Sequence, residues 1–204
     1  LARIYQNGTI NLYGEEAMGA NAFLGGRITF GADSRITFND ANQTGYRSAD
    51  EGTQLISNGN NVDVRTANST LYDISNSAWL YTQNPGNVTL SGENSRGIVL
   101  SGEGTQVSST DNYVASGKGA SVMNASNRAE GVISSGITLS GENTTAAIAS
   151  GDETEIYAAS TINGNGANAT AFDVSGGARL FNQYQGVVEL SGSNSTGARV
   201  HDGG

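Results

Sequence analysis

A chain of 204 residues with 10 Lys and Arg against 19 Asp and Glu carries a formal net charge of −9. That charge repels the phosphate backbone and an anionic membrane surface, which disfavours both as partners, and no nucleic acid partner is expected. There is no cysteine, which removes disulfides, thiolate metal sites and cysteine nucleophiles. With 29 Gly, one Pro and only 14% charged residues, the chain is not of disordered composition. It folds only if a repeated architecture buries modest apolar segments against one another.

No run of 18 apolar residues occurs, so no transmembrane helix is expected. The opening "LARIYQNGTINLYG" lacks the two regions of a signal peptide. The expectation is a single unit over 1–204, cut from a longer polypeptide.

The first apolar residue of each β-like phrase falls at Ile10, Ile36, Val62, Val88, Val114, Ile137, Ile162 and Val188. The period of about 26 predicts about eight coils, and period-two alternation within each predicts three short strands with one buried face. Coil one is predicted to bury Ile10 and Leu12, then Ala20 and Ala22, then Ile28. Coil two follows with Ile36/Phe38, Tyr46/Ser48 and Leu55, and coil three with Val62/Val64, Tyr72/Ile74 and Leu80. Coil four offers Val88/Leu90, Ile98/Leu100 and Val107; coil five starts at Val114 and closes on Val132. Coil six gives Ile137/Leu139, Ala147/Ala149 and Ile156, coil seven Ile162, Phe172/Val174 and Leu180, and coil eight Val188/Leu190 and Ala198/Val200. The third group slips by one residue in several coils.

Residues 62–100 laid over 162–200 share 16 identities in 39 positions, which indicates duplication of a four-coil block. Six residues after each start stands an asparagine: Asn42, Asn68, Asn94, Asn143, Asn168 and Asn194, with Glu16 and Ala120 as the exceptions. Stacked amides at one turn would bond from coil to coil and satisfy bent backbone. Gly14, Gly92, Gly141, Gly166 and Gly192, two residues earlier, are expected to supply positive φ at the corner; Asp40, Thr66 and Lys118 depart from the pattern. Turn chemistry repeats per coil, not per hairpin, which favours a parallel β-helix over an antiparallel sandwich. Eight coils would form a rod of roughly 35 to 40 Å.

The phrases "NVTLSGENSRGIVL" and "GITLSGENTTAAIA", with the asparagine column, the acidic balance and the lack of Cys, resemble the passenger domain of a bacterial autotransporter of the pertactin and self-associating adhesin group. The resemblance covers essentially the whole chain. It implies a right-handed parallel β-helix on the surface of a Gram-negative cell, exported through the protein's own C-terminal outer-membrane β-barrel.

No catalytic set or metal site is expected and no cofactor is implied. The one histidine, His201, reads as a solvated residue near the end, and no "GDSGS"-like nucleophile phrase occurs. Glu15/Glu16, Asp50/Glu51 and Asp152, Glu153 and Glu155 fall at different turns. Glu51, Glu103 and Asp152 share one column on every second coil, about 10 Å apart, too wide for an acid/base pair on one bond but able to meet a cation or a basic partner. Alternation around Leu80 sends Trp79 and Tyr81 outward, and the hundred-residue offset places Arg179 and Phe181 after them; such aromatics stack on sugars, anchor a protein partner or pack under a neighbouring loop. Tyr46, Tyr72 and Phe172 read as core, Tyr113 and Tyr184 as turn residues, and "NGNGAN" at 163–168 as a turn. The reading is therefore an adhesin that binds host surface protein, matrix or glycan, or associates with itself in aggregation or biofilm. A β-helical polysaccharide-degrading enzyme and a passive stalk are the alternatives.

Overall fold

In the computed structural model, which describes residues 2–203, the chain is a parallel β-solenoid of about eight coils. Among the described residues twenty-four short strands fall three to a coil, and every strand pair is parallel. Coil four shows the unit: Asn87–Leu90 in the first sheet, Arg96–Ser101 in the second and Gln106–Ser109 in the third. The second and third sheets each run unbroken through eight strands. The first divides into a two-stranded and a six-stranded part between coils two and three. At that division Arg65 reaches back, its Nε donating to the Phe38 carbonyl at 2.7 Å.

Alternation puts one apolar column from each sheet inside. Leu55, Ile74, Leu80, Leu90, Ile98, Leu100 and Leu139 are among the buried residues. The core also takes aromatics: Phe30 meets Tyr46 at a 35° tilt with ring centroids 3.8 Å apart, and Tyr46 stacks on Tyr72 at 5.9 Å.

Coil five departs from the expected register. Tyr113, not Val114, pairs with Val88 below and Ile137 above; Tyr113 is buried and Val114 is 39% exposed. A tyrosine fits this inward position because its hydroxyl meets Ser109 Oγ at 2.9 Å, so no polar group is orphaned. The shift moves the later positions too: Gly119 and Gly117, not Ala120 and Lys118, take the ladder and corner positions of that coil. In the third sheet Gly131, not Val132, continues the inward column between Val107 and Ile156. A side chain on Gly131 would meet Met123 Sδ at 2.6 Å, so the methionine fills the space the glycine leaves.

The asparagine column is above all a column of left-handed backbone. Asn42, Asn68, Asn94, Asn143, Asn168 and Asn194 have φ between 51° and 59°, and the two exceptions, Glu16 and Gly119, have φ of 61° and 69°. Asparagine tolerates this region better than other branched or bulky residues. Backbone satisfies backbone here: Asn68 N–H donates to Glu93 O and Asn94 N–H to Lys118 O, each at 2.8 Å. Among the described residues the side-chain amides join only Asn94 to Asn68, at 3.4 Å, and Asn168 to Asn143, at 3.0 Å. Asn68→Ala is therefore expected to cost about 1 kcal/mol, while Asn68→Gly stays within about 0.5 kcal/mol of the parent; chemical denaturation of both variants checks this.

The corner glycines have a different cause from the one expected. Apart from Gly14, at +89°, they do not take positive φ. A Cβ on Gly92, Gly117, Gly166 or Gly192 would instead land on the carbonyl of Thr66, Gly92, Gly141 or Gly166 in the coil below. At these corners the coil closes so tightly against the one below that only hydrogen fits between them.

From coil two onward the turns between the second and third sheets alternate in size. Residues 50–53, 102–105 and 151–154 form four-residue turns; 76–78, 127–129 and 176–178 form three-residue turns. The buried threonine that closes each longer turn accepts an N–H from the turn of the preceding coil. Thr105 Oγ1 takes Ser77 N–H at 3.0 Å, and Thr154 Oγ1 takes Arg128 N–H at 2.9 Å. The structural repeat is thus a pair of coils. This accounts for the slipping register of the third strand, and for a duplicated block with an even number of coils.

Candidate binding face

The outer surface of the third sheet carries two side-chain columns. One runs Arg27, Gln54, Trp79, Gln106, Glu130, Glu155 and Arg179; the other runs Thr29, Ile56, Tyr81, Ser108, Val132, Tyr157 and Phe181. Outward placement follows from the pleat, since Leu80 between Trp79 and Tyr81 is buried. Trp79 and Tyr81 are about half exposed, at 50% and 51%, and form a ridge across the middle of the rod.

Hollows flank this ridge. On one side, a hollow of about 230 Å³ lies over Gln106, Ser108, Glu130 and Val132, against Trp79 and Tyr81. It exists because Ser108 is small where its neighbours in the column are Tyr81 and Val132. On the other, a hollow of about 280 Å³ is walled by Gln54, Ile56, Trp79 and Tyr81. Around the sheet edge, Trp79 also lines a third of about 380 Å³ with Glu51, Gln54 and Ser77. Flat aromatic faces beside amide and carboxylate groups suit a ligand that is apolar on one face and polar at its rim.

Arg179 and Phe181 do not join this site. They lie four strands further along the sheet, roughly 19 Å away at strand spacing. Arg179 Nη2 pairs with Glu155 Oε1 at 2.9 Å. Phe181 stacks on Tyr157 at 4.9 Å with planes 13° apart. The Tyr157 hydroxyl donates to Glu155 Oε2 at 2.6 Å, and that bond is the chief cause raising the phenol pKa. The group is a self-satisfied patch between two coils.

The acidic column is divided in the same way. Glu51, Glu103 and Asp152 all stand in the longer turns, on every second coil. Arg128, in the short turn between, reaches Glu103 at 3.4 Å and Glu153 at 3.2 Å. Glu51 alone borders the aromatic ridge. No cluster of three or more acidic or histidine side chains suited to a metal ion occurs among the described residues.

His201 is exposed but not free. Its ring nitrogens lie 2.9 Å from Asp173 Oδ1 and 2.8 Å from Asp202 Oδ2, and these bonds, that to Asp202 first, raise its pKa. In "NGNGAN", Asn163 and Gly164 end the strand Thr161–Gly164, and only the later residues form the turn. Tyr184 does sit in a turn.

Gln54, Ile56, Gln106 and Ser108 complete the face and were not singled out from the sequence. Their signal is the position next to each inward residue of the third strand, readable only once coil lengths are known. The fold places the chain among parallel β-solenoids. No protein-family model, curated protein or solved structure matches it.

Proposed function

We propose that this chain is part of a cell-surface passenger of a bacterial autotransporter and acts as an adhesin. In this reading the solenoid is the scaffold and the outer face of the third sheet is the recognition surface. The partner is host surface protein, matrix or glycan, or another copy of the chain, and the chain's own outer-membrane barrel would carry it to the surface. The observation that carries the reading is the half-exposed Trp79–Tyr81 ridge with hollows on both sides. A scaffold role leaves two large aromatics in water without benefit, whereas buried aromatics are common binding anchors. The acidic balance adds solubility rather than affinity.

The test is a binding panel with the purified chain against host cells, matrix proteins, a glycan array and immobilised copies of itself. Saturable binding to one of these, competed by free chain, is the expected result. Failure on every surface would remove the adhesin reading and leave the stalk.

A further inference from the structure

The asparagine column has a second regularity that backbone geometry does not require. Asn42-Gln43-Thr44, Asn68-Ser69-Thr70, Asn143-Thr144-Thr145, Asn168-Ala169-Thr170 and Asn194-Ser195-Thr196 all read Asn-x-Thr with x other than Pro. This is the acceptor sequence for N-linked sugar transfer. Ser and Thr are 41 of 204 residues, so chance places one of them two positions after about one asparagine in five. Five of the six ladder asparagines have one, against three of the sixteen others. Asn94, followed by Ser95 and Arg96, is the single ladder exception.

Position alone does not explain the threonines. They begin strands of the second sheet, in a column that Met18, Arg96 and Ser121 fill in the other coils. None of the five hydroxyls has a hydrogen-bond partner among the described residues, and none is among the buried unpaired groups. The asparagines are all exposed, and their left-handed backbone sets them on the outer bend of each coil. A group attached to Nδ2 would therefore extend into water without disturbing the core.

We propose that Asn42, Asn68, Asn143, Asn168 and Asn194 are acceptor sites for N-glycosylation, forming a row of sugars along one corner of the rod. The donor is a sugar activated at its anomeric carbon by a diphosphate leaving group. The carboxamide nitrogen attacks that carbon, and the C–N bond forms as the C–O bond to phosphate breaks. The diphosphate leaves with the electron pair, the nitrogen's proton passes to a base of the transferase, and nothing is oxidised or reduced. Thr70 and Thr170 are only 5% and 6% exposed in the folded coil, so transfer at their sites precedes coil closure. The inference is independent of the adhesin reading.

The test is peptide mass spectrometry, with fragmentation that preserves sugar linkages, on the protein isolated from the cells that make it. Sugar is expected on asparagine in peptides spanning the five sites and absent from Asn94. A single-sugar increment points to a nucleotide-activated donor, and a preassembled oligosaccharide to a lipid-linked one. Thr170→Val should reduce occupancy at Asn168 to background, Thr170→Ser should retain it, and Arg96→Thr should create a new site at Asn94. Unmodified asparagine at all five sites, sugar confined to hydroxyls, or unchanged occupancy in Thr170→Val overturns the proposal.

Discussion

Replacing Gly166 by alanine is expected to destabilise the rod by at least about 3 kcal/mol, the scale of severe overpacking against backbone that cannot yield. The added methyl would be built onto the Gly141 carbonyl of the coil below. Relief requires two coils to separate, yet Gly166 N–H is held to Leu139 O at 3.0 Å. Because each coil touches only its neighbours, the loss falls on the interface between coils six and seven, and unfolding there should become uncoupled from the rest. Gly136→Ala is the control, since its nearest non-neighbour atom would be the Asn112 side-chain oxygen at 3.3 Å. Denaturant melts and hydrogen exchange should show a large, localised effect in the first variant and a small one in the second. Equal effects would mean that corner glycines serve backbone freedom and not close approach.

Asp111→Asn is expected to raise stability at pH 7.5 by about 2 to 3 kcal/mol, the value of two pKa units. Asp111 lies at the corner between the third and first sheets, 1% exposed. Burial pushes its carboxyl from 3.8 up to about 6, against the lowering effect of Gly86 N–H and the Thr82 hydroxyl. Those bonds are 2.8 and 3.5 Å long, and no cation among the described residues lowers its pKa; the phenols of Tyr72 and Tyr113 are also close.

A raised carboxyl pKa means that the folded state holds the proton longer than the unfolded chain. The stabilisation is complete below about pH 4 and is lost as pH rises through about 6. The advantage of Asn over Asp should vanish at pH 4 and be full at pH 7.5. Other groups act elsewhere: Asp173, lowered by bonds from Arg199 and His201 in spite of its burial, loses its contribution on the acid side. His201, raised by Asp202 and Asp173, loses its own as pH rises past its usual range. The difference between wild type and Asp111→Asn cancels both. A pH-independent difference would contradict the assignment.

Much of the scaffold was legible because its rules are local. A buried pair two residues apart, as in Val88/Leu90 or Ile137/Leu139, needs only alternation, and recurrence of the pair counts the coils. The failures came where one coil's residue depends on another's. Tyr113 looks like a turn residue beside β-branched Val114 until Ser109 is seen to satisfy its hydroxyl. The corner glycines look like φ devices until the neighbouring coil is stacked on them. Outward Trp79 and Tyr81 followed from alternation, but their companions Gln54, Gln106 and Ser108 did not, because alternating turns shift each third strand relative to the last. Arg179 and Phe181 matched by duplication, yet duplication places them one block away along the rod.

In the proposed function labour is divided, with inward columns holding the fold and the outward ridge of the third sheet performing recognition. This division is tested most directly by comparing Trp79→Ala/Tyr81→Ala with Arg179→Ala/Phe181→Ala, in both affinity for the partner found by the binding panel and melting temperature. The first pair is expected to weaken binding by tenfold or more, about 1.4 kcal/mol or above, with β-type circular dichroism and Tm unchanged, while the second leaves binding intact. Undiminished binding by Trp79→Ala/Tyr81→Ala, or loss of its fold, would contradict the account.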